Sequence, residues 1–393
     1  MAPSVVRLSG IVWSFRGIRR APGAEKFGIS HYNSAMTEPA TTPELPKAAG
    51  PAHLTDVLRR AGVLGNGRVA GVTVESSTPT IMSHIYRLQL ANDGAPNGAP
   101  ASLILKTAPV GRPPVPWKPG RQEVAFYRDI ASASPPGLVP RCFDAHWDDA
   151  SEAWHLLLED LTDTHAISQP WPLPPTLAEC EAIVRTRARF HAAWWDDPRL
   201  GVSVGQWYDP ASDAQSAQGL AAQVQRFAEA IGDRFSSGRR EFYARLVEQV
   251  PRLGARYRSH RHMTIVHGDA HVWNNLLPRN GDPDGIRLFD WDAWRLDTGS
   301  DDLAYMMALH WHPDLRRQRE RHLLDVYHAE LMARGVQGYD RRALDDDYRL
   351  STLWASTIPI WQHAGGIPPV IWWHHLDRIH LAMDDLGCRE LLG

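Results

Sequence analysis

The chain has 393 residues, beyond the ~250–300 at which a single hydrophobic core stops growing, so two lobes are expected. Its 42 Lys plus Arg against 45 Asp plus Glu leave a net charge of −3, without the basic excess of a dedicated nucleic-acid binder. At 43% hydrophobic and 22% charged it reads as an ordinary soluble globular protein, and no apolar run approaches the ~20 residues that span a bilayer. Cys142, Cys180 and Cys388 are odd in number and widely spaced, forming neither a disulfide framework nor a metal motif, so a reducing cytoplasm is the expected location.

Residues 1–50 differ from the rest. They are rich in Pro, Ala, Ser and Thr, and within Met1–Ala35 Arg7, Arg16, Arg19 and Arg20 face one acid, Glu25. Without the apolar stretch of a secretory signal, this segment reads as a disordered or spurious extension, with Met36 as an alternative start, rather than as a targeting peptide. Residues 51–160 read as a sheet-rich N-lobe. Helices are expected at 54–61 and 121–132, and strands at 69–74, 85–90, 102–107 and 154–158. Residues 161–393 read as a mostly helical C-lobe. It opens on the linker TDTHAISQPWPLPPT and a capping box, Thr176 with Glu179. Further helices are expected at 214–231, 241–256, 321–333, 345–355 and 374–386, with a β interruption at 265–289.

The interruption reads TIVHGDAHVWNNLLPRNGDPDGIRLFDWDAW. His267, Asp269 and Asn274 reproduce the H-x-D-x-x-x-x-N spacing of a kinase catalytic loop. The 15 residues between Asn274 and Asp290 read as a hairpin turned at NGDPDG, which brings those two side by side with Asp269 one short loop away. An amide oxygen and a carboxylate together suit Mg²⁺, and a second carboxylate suits the proton of an attacking hydroxyl. Singly, each residue is also an ordinary turn former or strand-end cap.

HGDAHVWNNLL followed by LFDWDAW resembles the aminoglycoside phosphotransferase superfamily, including its choline kinase-like and ecdysteroid kinase-like members. The resemblance implies an α+β, two-lobed protein kinase-like fold with a small β-rich N-lobe. It implies ATP and Mg²⁺ as cofactors, Asp269 as catalytic base, and Asn274 and Asp290 as metal ligands. Asn275 matches the N-N pair of the ecdysteroid kinase-like branch, and Asp302, in Asp302-Leu303-Ala304, would brace the catalytic loop backbone. In SLILKT, Lys106 stands where such folds have a lysine contacting the α/β-phosphates; on its own it reads as a snorkelling strand-end lysine. Glu123, on the inward face of its helix with Tyr127, is its natural partner. LLLEDL resembles the strand-to-hinge segment, so backbone groups of Glu159, Asp160 and Leu161 would meet the adenine edge. The loop 75–84 has no glycine, so Ser76, Ser77 and Ser83 are the candidates for phosphate contact. His191, on an apolar face, reads as a satisfied core histidine.

Trp354, Trp361, Trp372 and Trp373 gather near Gln362, His363, His374 and His375, as an aromatic acceptor wall or as core. The reading is a phosphotransferase acting on a small-molecule hydroxyl, with no nucleic-acid or membrane partner. Two alternatives are a catalytically weak pseudokinase, suggested by the glycine-poor loop, and a metal-dependent hydrolase using His267, Asp269 and His271.

Overall fold

The computed structural model describes residues 46–80, 83–109, 118, 120–207, 209 and 213–393, with the backbone of two short paired strands, β1 (Val6–Leu8) and β2 (Ile11–Trp13). The rest of the expected extension lies outside the described residues up to position 45, as do Ile81 and Met82, but its end is ordered: Lys47–Ala49 form a 3-10 turn and Ala48 and Ala49 are buried in the core, because their small apolar side chains pack under the sheet. The chain forms two compact units. One comprises Ser14–Tyr127 and Pro140–Asp163, the other Met1–Trp13, Arg128–Val139 and Thr164–Gly393.

The first of these units is built on a five-stranded antiparallel sheet in the order β3-β4-β5-β7-β6, formed by β3 (Arg68–Pro79), β4 (His84–Asp93), β5 (Ser102–Thr107), β6 (Cys142–Trp147) and β7 (Trp154–Glu159). Helix α1 (Pro51–Arg60) starts on a proline, whose missing N–H is no loss in a first turn, and buries Leu54, Val57 and Leu58. These pack with Leu88, Leu103 and Leu157 of the sheet in one core. Helix α2 (Arg121–Asp129) buries Glu123, Val124, Phe126 and Tyr127.

Two features of this sheet differ from the sequence expectation. Strands β3 and β4 run on through most of the glycine-poor stretch, with Thr78 opposite Ile85 and Pro79 opposite His84. Thr80 and Ser83 close the tip, with Thr80 N–H donating to the Ser83 carbonyl at 2.8 Å and Ser83 N–H to Thr80 Oγ1 at 2.9 Å. Side-chain hydrogen bonds there do what glycine flexibility would otherwise do. Strand β6 was not expected; it is a sheet edge whose pattern is broken by a bulge between Cys142 and Asp144.

The other unit is mainly helical. Its helices are α3 (Leu177–Ala193), α4 (Asp213–Ile231), α5 (Ser237–Gly254), α6 (Ser300–Leu303), α7 (Pro313–Ala333), α8 (Arg341–Ala355), α9 (Ile358–Ala364) and α10 (Pro369–Asp385). The Thr176 capping box forms as expected, with Thr176 N–H donating to Glu179 Oε2 at 2.8 Å and Glu179 N–H to Thr176 Oγ1 at 3.3 Å. One core gathers Tyr243, Leu246, Leu353, Ile360 and Trp372, with Trp354 and Trp373 packed against it. A second gathers Ile183, Met306, Leu323 and Tyr327. Thus at least three of the C-terminal tryptophans serve packing.

Four short strands interrupt the helices: β9 (Thr264–Val266), β10 (Asn275–Pro278), β11 (Arg287–Leu288) and β12 (Arg295–Asp297). Strand β12 pairs with β9, and β10 lies between β11 and β8 (His165–Ala166), which forms inside the expected linker. Residues 128–139, which the sequence groups with the sheet, are tied here by Leu288 N–H to the Leu138 carbonyl at 2.8 Å and Trp194 Nε1–H to Ser134 Oγ at 2.9 Å. All three cysteines are free. Among the described residues, no helix is long and apolar enough to cross a membrane.

Candidate active site

Strand β9 is fully buried and delivers the chain into His267-Gly268-Asp269. Gly268 sits at φ +80°, and a Cβ there would fall 2.1 Å from the Ala293 carbonyl oxygen, so the turn requires glycine. Asp302, in the first turn of α6, anchors this turn. Its carboxylate accepts the backbone N–H groups of His267 and Gly268, each at 3.0 Å. It also accepts Arg187 Nη1 at 3.1 Å and His191 Nε2 at 3.3 Å. Burial alone would raise its pKa, but the His191 bond and the Arg187 charge win and hold it far below the carboxylate range. His191 is therefore a satisfied core histidine, its Nδ1 taking the Tyr327 hydroxyl at 2.7 Å.

His267 is buried and has both ring nitrogens engaged. Nε2–H donates to the Phe289 carbonyl at 2.8 Å, and Nδ1 accepts the Asp269 N–H at 3.3 Å. Burial and the nearby Arg187 lower its pKa to about 4, so it is neutral near pH 7. No nitrogen of His267 remains for zinc, which removes the expected hydrolase ligand set.

Asp269 differs from Asp302 in access: its side chain is 37% exposed. Oδ1 accepts the Tyr305 hydroxyl at 2.6 Å and Oδ2 the Asn274 amide at 3.2 Å, with His271 Nε2 at 3.6 Å. Burial pushes the pKa of this carboxyl up, yet His271 and the Tyr305 hydroxyl outweigh it and the net shift is down. Asn274 Nδ2 also donates to the Asp269 carbonyl at 2.8 Å, which commits the amide nitrogen and leaves Oδ1 as the atom for a cation.

The hairpin forms where its turn chemistry predicts. Asn275 pairs with Leu288, Phe289 N–H reaches the Asn274 carbonyl at 3.3 Å, and Asp290 follows directly. In the turn, Asp282 N–H donates to Asn280 Oδ1 at 3.1 Å and Asp284 N–H to Asp282 Oδ1 at 3.0 Å. Asp290 adopts φ 69°, a left-handed conformation uncommon outside glycine and enriched at functional sites. Asn275 has a different duty: its amide donates to the His271 and Val272 carbonyls at 3.1 and 3.0 Å, stapling the loop.

Three residues that the sequence did not single out for this site gather at it: Tyr305 meets Asp269, His310 packs against Tyr305 and His271, and His375 packs against His310. Tyr305 lies on a π-helical stretch, Ala304–Leu309, directly after the Asp302-Leu303-Ala304 segment. His310 Nδ1–H donates to the Tyr305 carbonyl at 2.8 Å, and its ring meets His271 at 5.6 Å and His375 at 4.4 Å. Burial lowers the His310 pKa to about 3 and that of His375 well below 6.5. The only local signal was the position of Tyr305 behind that segment.

The sheet-bearing unit holds the remaining candidates. Lys106 Nζ and Glu123 Oε2 form an ion pair at 2.6 Å, with side chains 12% and 2% exposed. Ser77 Oγ is hydrogen-bonded to His84 Nε2 at 2.7 Å on the exposed hairpin. Glu159 exchanges bonds with Arg141: its N–H reaches the Arg141 carbonyl and its Oε1 accepts the Arg141 N–H, both at 2.8 Å. Of the Glu159 backbone groups expected at an adenine edge, the N–H is thus spent within the sheet. Leu161 follows Asp160, whose carboxylate accepts Arg87 Nε at 2.6 Å and the Thr162 N–H at 2.9 Å. Burial would raise the Asp160 pKa, but hydrogen bonds from the Thr162 and Ser102 side chains, then Arg87 and the Thr162 N–H, bring it to about 2. The structure thus brings Asp269 and Asn274 into contact, with Asp290 in the same unit one residue beyond the backbone partner of Asn274, and Lys106 and Glu123 together in the other unit.

The model of the ecdysteroid kinase-like family matches residues 80–335. The chain belongs to the ecdysteroid kinase-like family. Among solved structures, this ecdysteroid kinase-like protein is similar to one from Ralstonia eutropha JMP134 assigned to the aminoglycoside phosphotransferases. The identity is 15% and the TM-score 0.54, covering 86% of this chain and 98% of that one. A choline/ethanolamine kinase family protein from Mesorhizobium loti matches at 13% identity and TM-score 0.46, covering 88% and 95%. Amicoumacin kinase hAmiN, solved with AMP-PNP and Ca²⁺, matches at 13% and 0.45, covering 84% and 92%. None of the curated protein sequences matches. The fold is the two-lobed protein kinase-like one, with an antiparallel sheet toward the N-terminus and helices toward the C-terminus.

Proposed function

We propose that this ecdysteroid kinase-like protein is an ATP- and Mg²⁺-dependent phosphotransferase that moves the γ-phosphoryl group to a hydroxyl of a small molecule. The observation that carries this reading is the Asp269 carboxylate. It is accessible, fixed by Tyr305 and Asn274, and backed by a loop whose N–H groups are pinned to a buried Asp302. Held below its ordinary pKa, Asp269 is ionised near pH 7 and acts as the general base for the acceptor hydroxyl proton.

An amide oxygen and a carboxylate suit a hard divalent cation. Asn274 has turned its nitrogen to Asp269, leaving an amide oxygen, and Asp290 adds a carboxylate one hairpin position away. Bound there, Mg²⁺ would supply charge neutralisation for the phosphates. Lys106, kept oriented by Glu123, supplies a fixed positive charge for the α- and β-phosphates. Ser77 and the segment from Glu159 to Leu161 are the proposed nucleotide contacts on the same unit.

The glycine-free hairpin, closed by Thr80 and Ser83, favours one competing reading, a nucleotide-binding pseudokinase. An ATP-consumption screen over sugars, choline analogues, sterols and hydroxylated natural products separates the two. Turnover with one acceptor class, lowered ~10²–10⁴-fold by Asp269→Ala with nucleotide binding retained, is the expected result. Nucleotide binding without turnover on any acceptor would favour the pseudokinase. Turnover that Asp269→Ala leaves unchanged would remove the base assignment.

A further inference from the structure

Away from this site, the sheet-bearing unit carries a second group of potential ligands: His53 on α1, Asp144 on β6 and His155 on β7. Their donor atoms lie within 4.8 Å of one another. Both imidazoles aim at a single oxygen. Asp144 Oδ2 is 2.8 Å from His155 Nε2 and 3.1 Å from His53 Nε2, and the two rings stand nearly perpendicular, at 88°.

The fold explains the convergence. The bulge after Cys142 shifts the register so that Asp144 lies opposite Leu157, and His146 opposite His155. With side chains alternating along each strand, Asp144, His155 and Leu157 share one face of the sheet. That face is the one α1 covers, because Leu157 packs with Leu54 and Val57. His53, preceding Leu54, reaches the same place from the helix. The side chains are 35% (His53), 21% (Asp144) and 13% (His155) exposed, so an ion can enter while the ligands stay supported.

We propose that His53, Asp144 and His155 form a Zn²⁺ site, with water as the fourth ligand, that clips α1 to the β6–β7 edge of the sheet. Zinc binds imidazole nitrogen and carboxylate oxygen at ~2.0–2.2 Å, which places neighbouring ligand atoms of a tetrahedron roughly 3.3 Å apart. The observed 2.8 and 3.1 Å separations are a few tenths of an ångström short of that, so an ion enters without rebuilding the backbone. The chemistry agrees. Asp144 contributes a carboxylate oxygen that both imidazoles already face, although Arg60 nearby adds a positive charge. Two nitrogens with one carboxylate favour zinc over Mg²⁺, which prefers all-oxygen surroundings. No residue of this group belongs to the candidate active site, so the ion is structural.

The test uses the full chain, stripped with chelator, passed through gel filtration after incubation with ZnCl₂ in excess Mg²⁺, and analysed for retained metal. One zinc per chain and a raised melting temperature are expected for the wild type, with CoCl₂ giving the visible absorption of tetrahedral Co²⁺. His155→Ala and Asp144→Asn should lose both effects, with zinc affinity down roughly 100-fold or more, since even outer-shell partners are worth 10–100-fold. Asp290→Ala should retain them. Circular dichroism confirms that each variant is folded, and His53→Ala serves if one is not. A wild type that retains no zinc, or variants that retain as much as the wild type, would overturn the proposal.

Discussion

Asp269 and Asp302 are two carboxylates of one loop neighbourhood, assigned opposite duties by what surrounds them. Four donors close around Asp302, which is buried and braces the backbone; two hold Asp269, whose side chain remains open. Tyr305 lowers the Asp269 pKa, so Tyr305→Phe should raise it. A base must be ionised to work, and a higher pKa moves the acid limb of the pH–rate profile to higher pH. A fall of about 10-fold in kcat is expected with it, from a hydrogen bond to a charged group worth ~1.5–3 kcal/mol. An unmoved acid limb would mean that Tyr305 does not tune Asp269. Asp269 and Asn274 were legible because their spacing is local. Tyr305, His310 and His375 were not, since only the tertiary fold carries Tyr305 to that carboxylate and packs the two histidines behind it.

At the scale of elements, the hairpin between Asn274 and Asp290 was readable because NGDPDG leaves a chain little choice but to turn. The capping box at Thr176 was readable for a similar reason: both partners lie within one turn of helix. Thr176→Ala should cost about 1 kcal/mol and lower the melting temperature by roughly 2–4 °C, with kcat unchanged. An unchanged melting curve would show that the cap bears no load. Strands β6 and β8 were not legible. The first is an edge whose alternation the bulge interrupts, and the second is two residues long and exists through its pairing with Leu277 and Pro278. The glycine-free hairpin was misjudged in extent, because serine and threonine serve a strand as well as a loop.

At the scale of the whole molecule, the four most strongly shifted histidines among the described residues dominate the acid response. Burial lowers His267 to about 4, His310 and His380 to about 3, and His375 well below 6.5. Between roughly pH 4 and 6.5 the unfolded chain binds protons at these positions that the native state does not, so stability falls as pH falls. Each group contributes up to ~1.4 kcal/mol per pH unit in that window. Asp301, raised by burial, works in the opposite sense, one group against four. The melting temperature should therefore drop steeply from pH 6.5 to 4.5, and a flat profile would contradict the buried neutral assignments. The central claim is that the hairpin presents Asn274 and Asp290 to a metal-bound nucleotide. Titration of ATP affinity with Mg²⁺, in the wild type and in Asp290→Ala, tests it most directly. Affinity should tighten with Mg²⁺ in the wild type and lose that dependence in the variant; an equal Mg²⁺ response in both, or none in the wild type, would contradict the account.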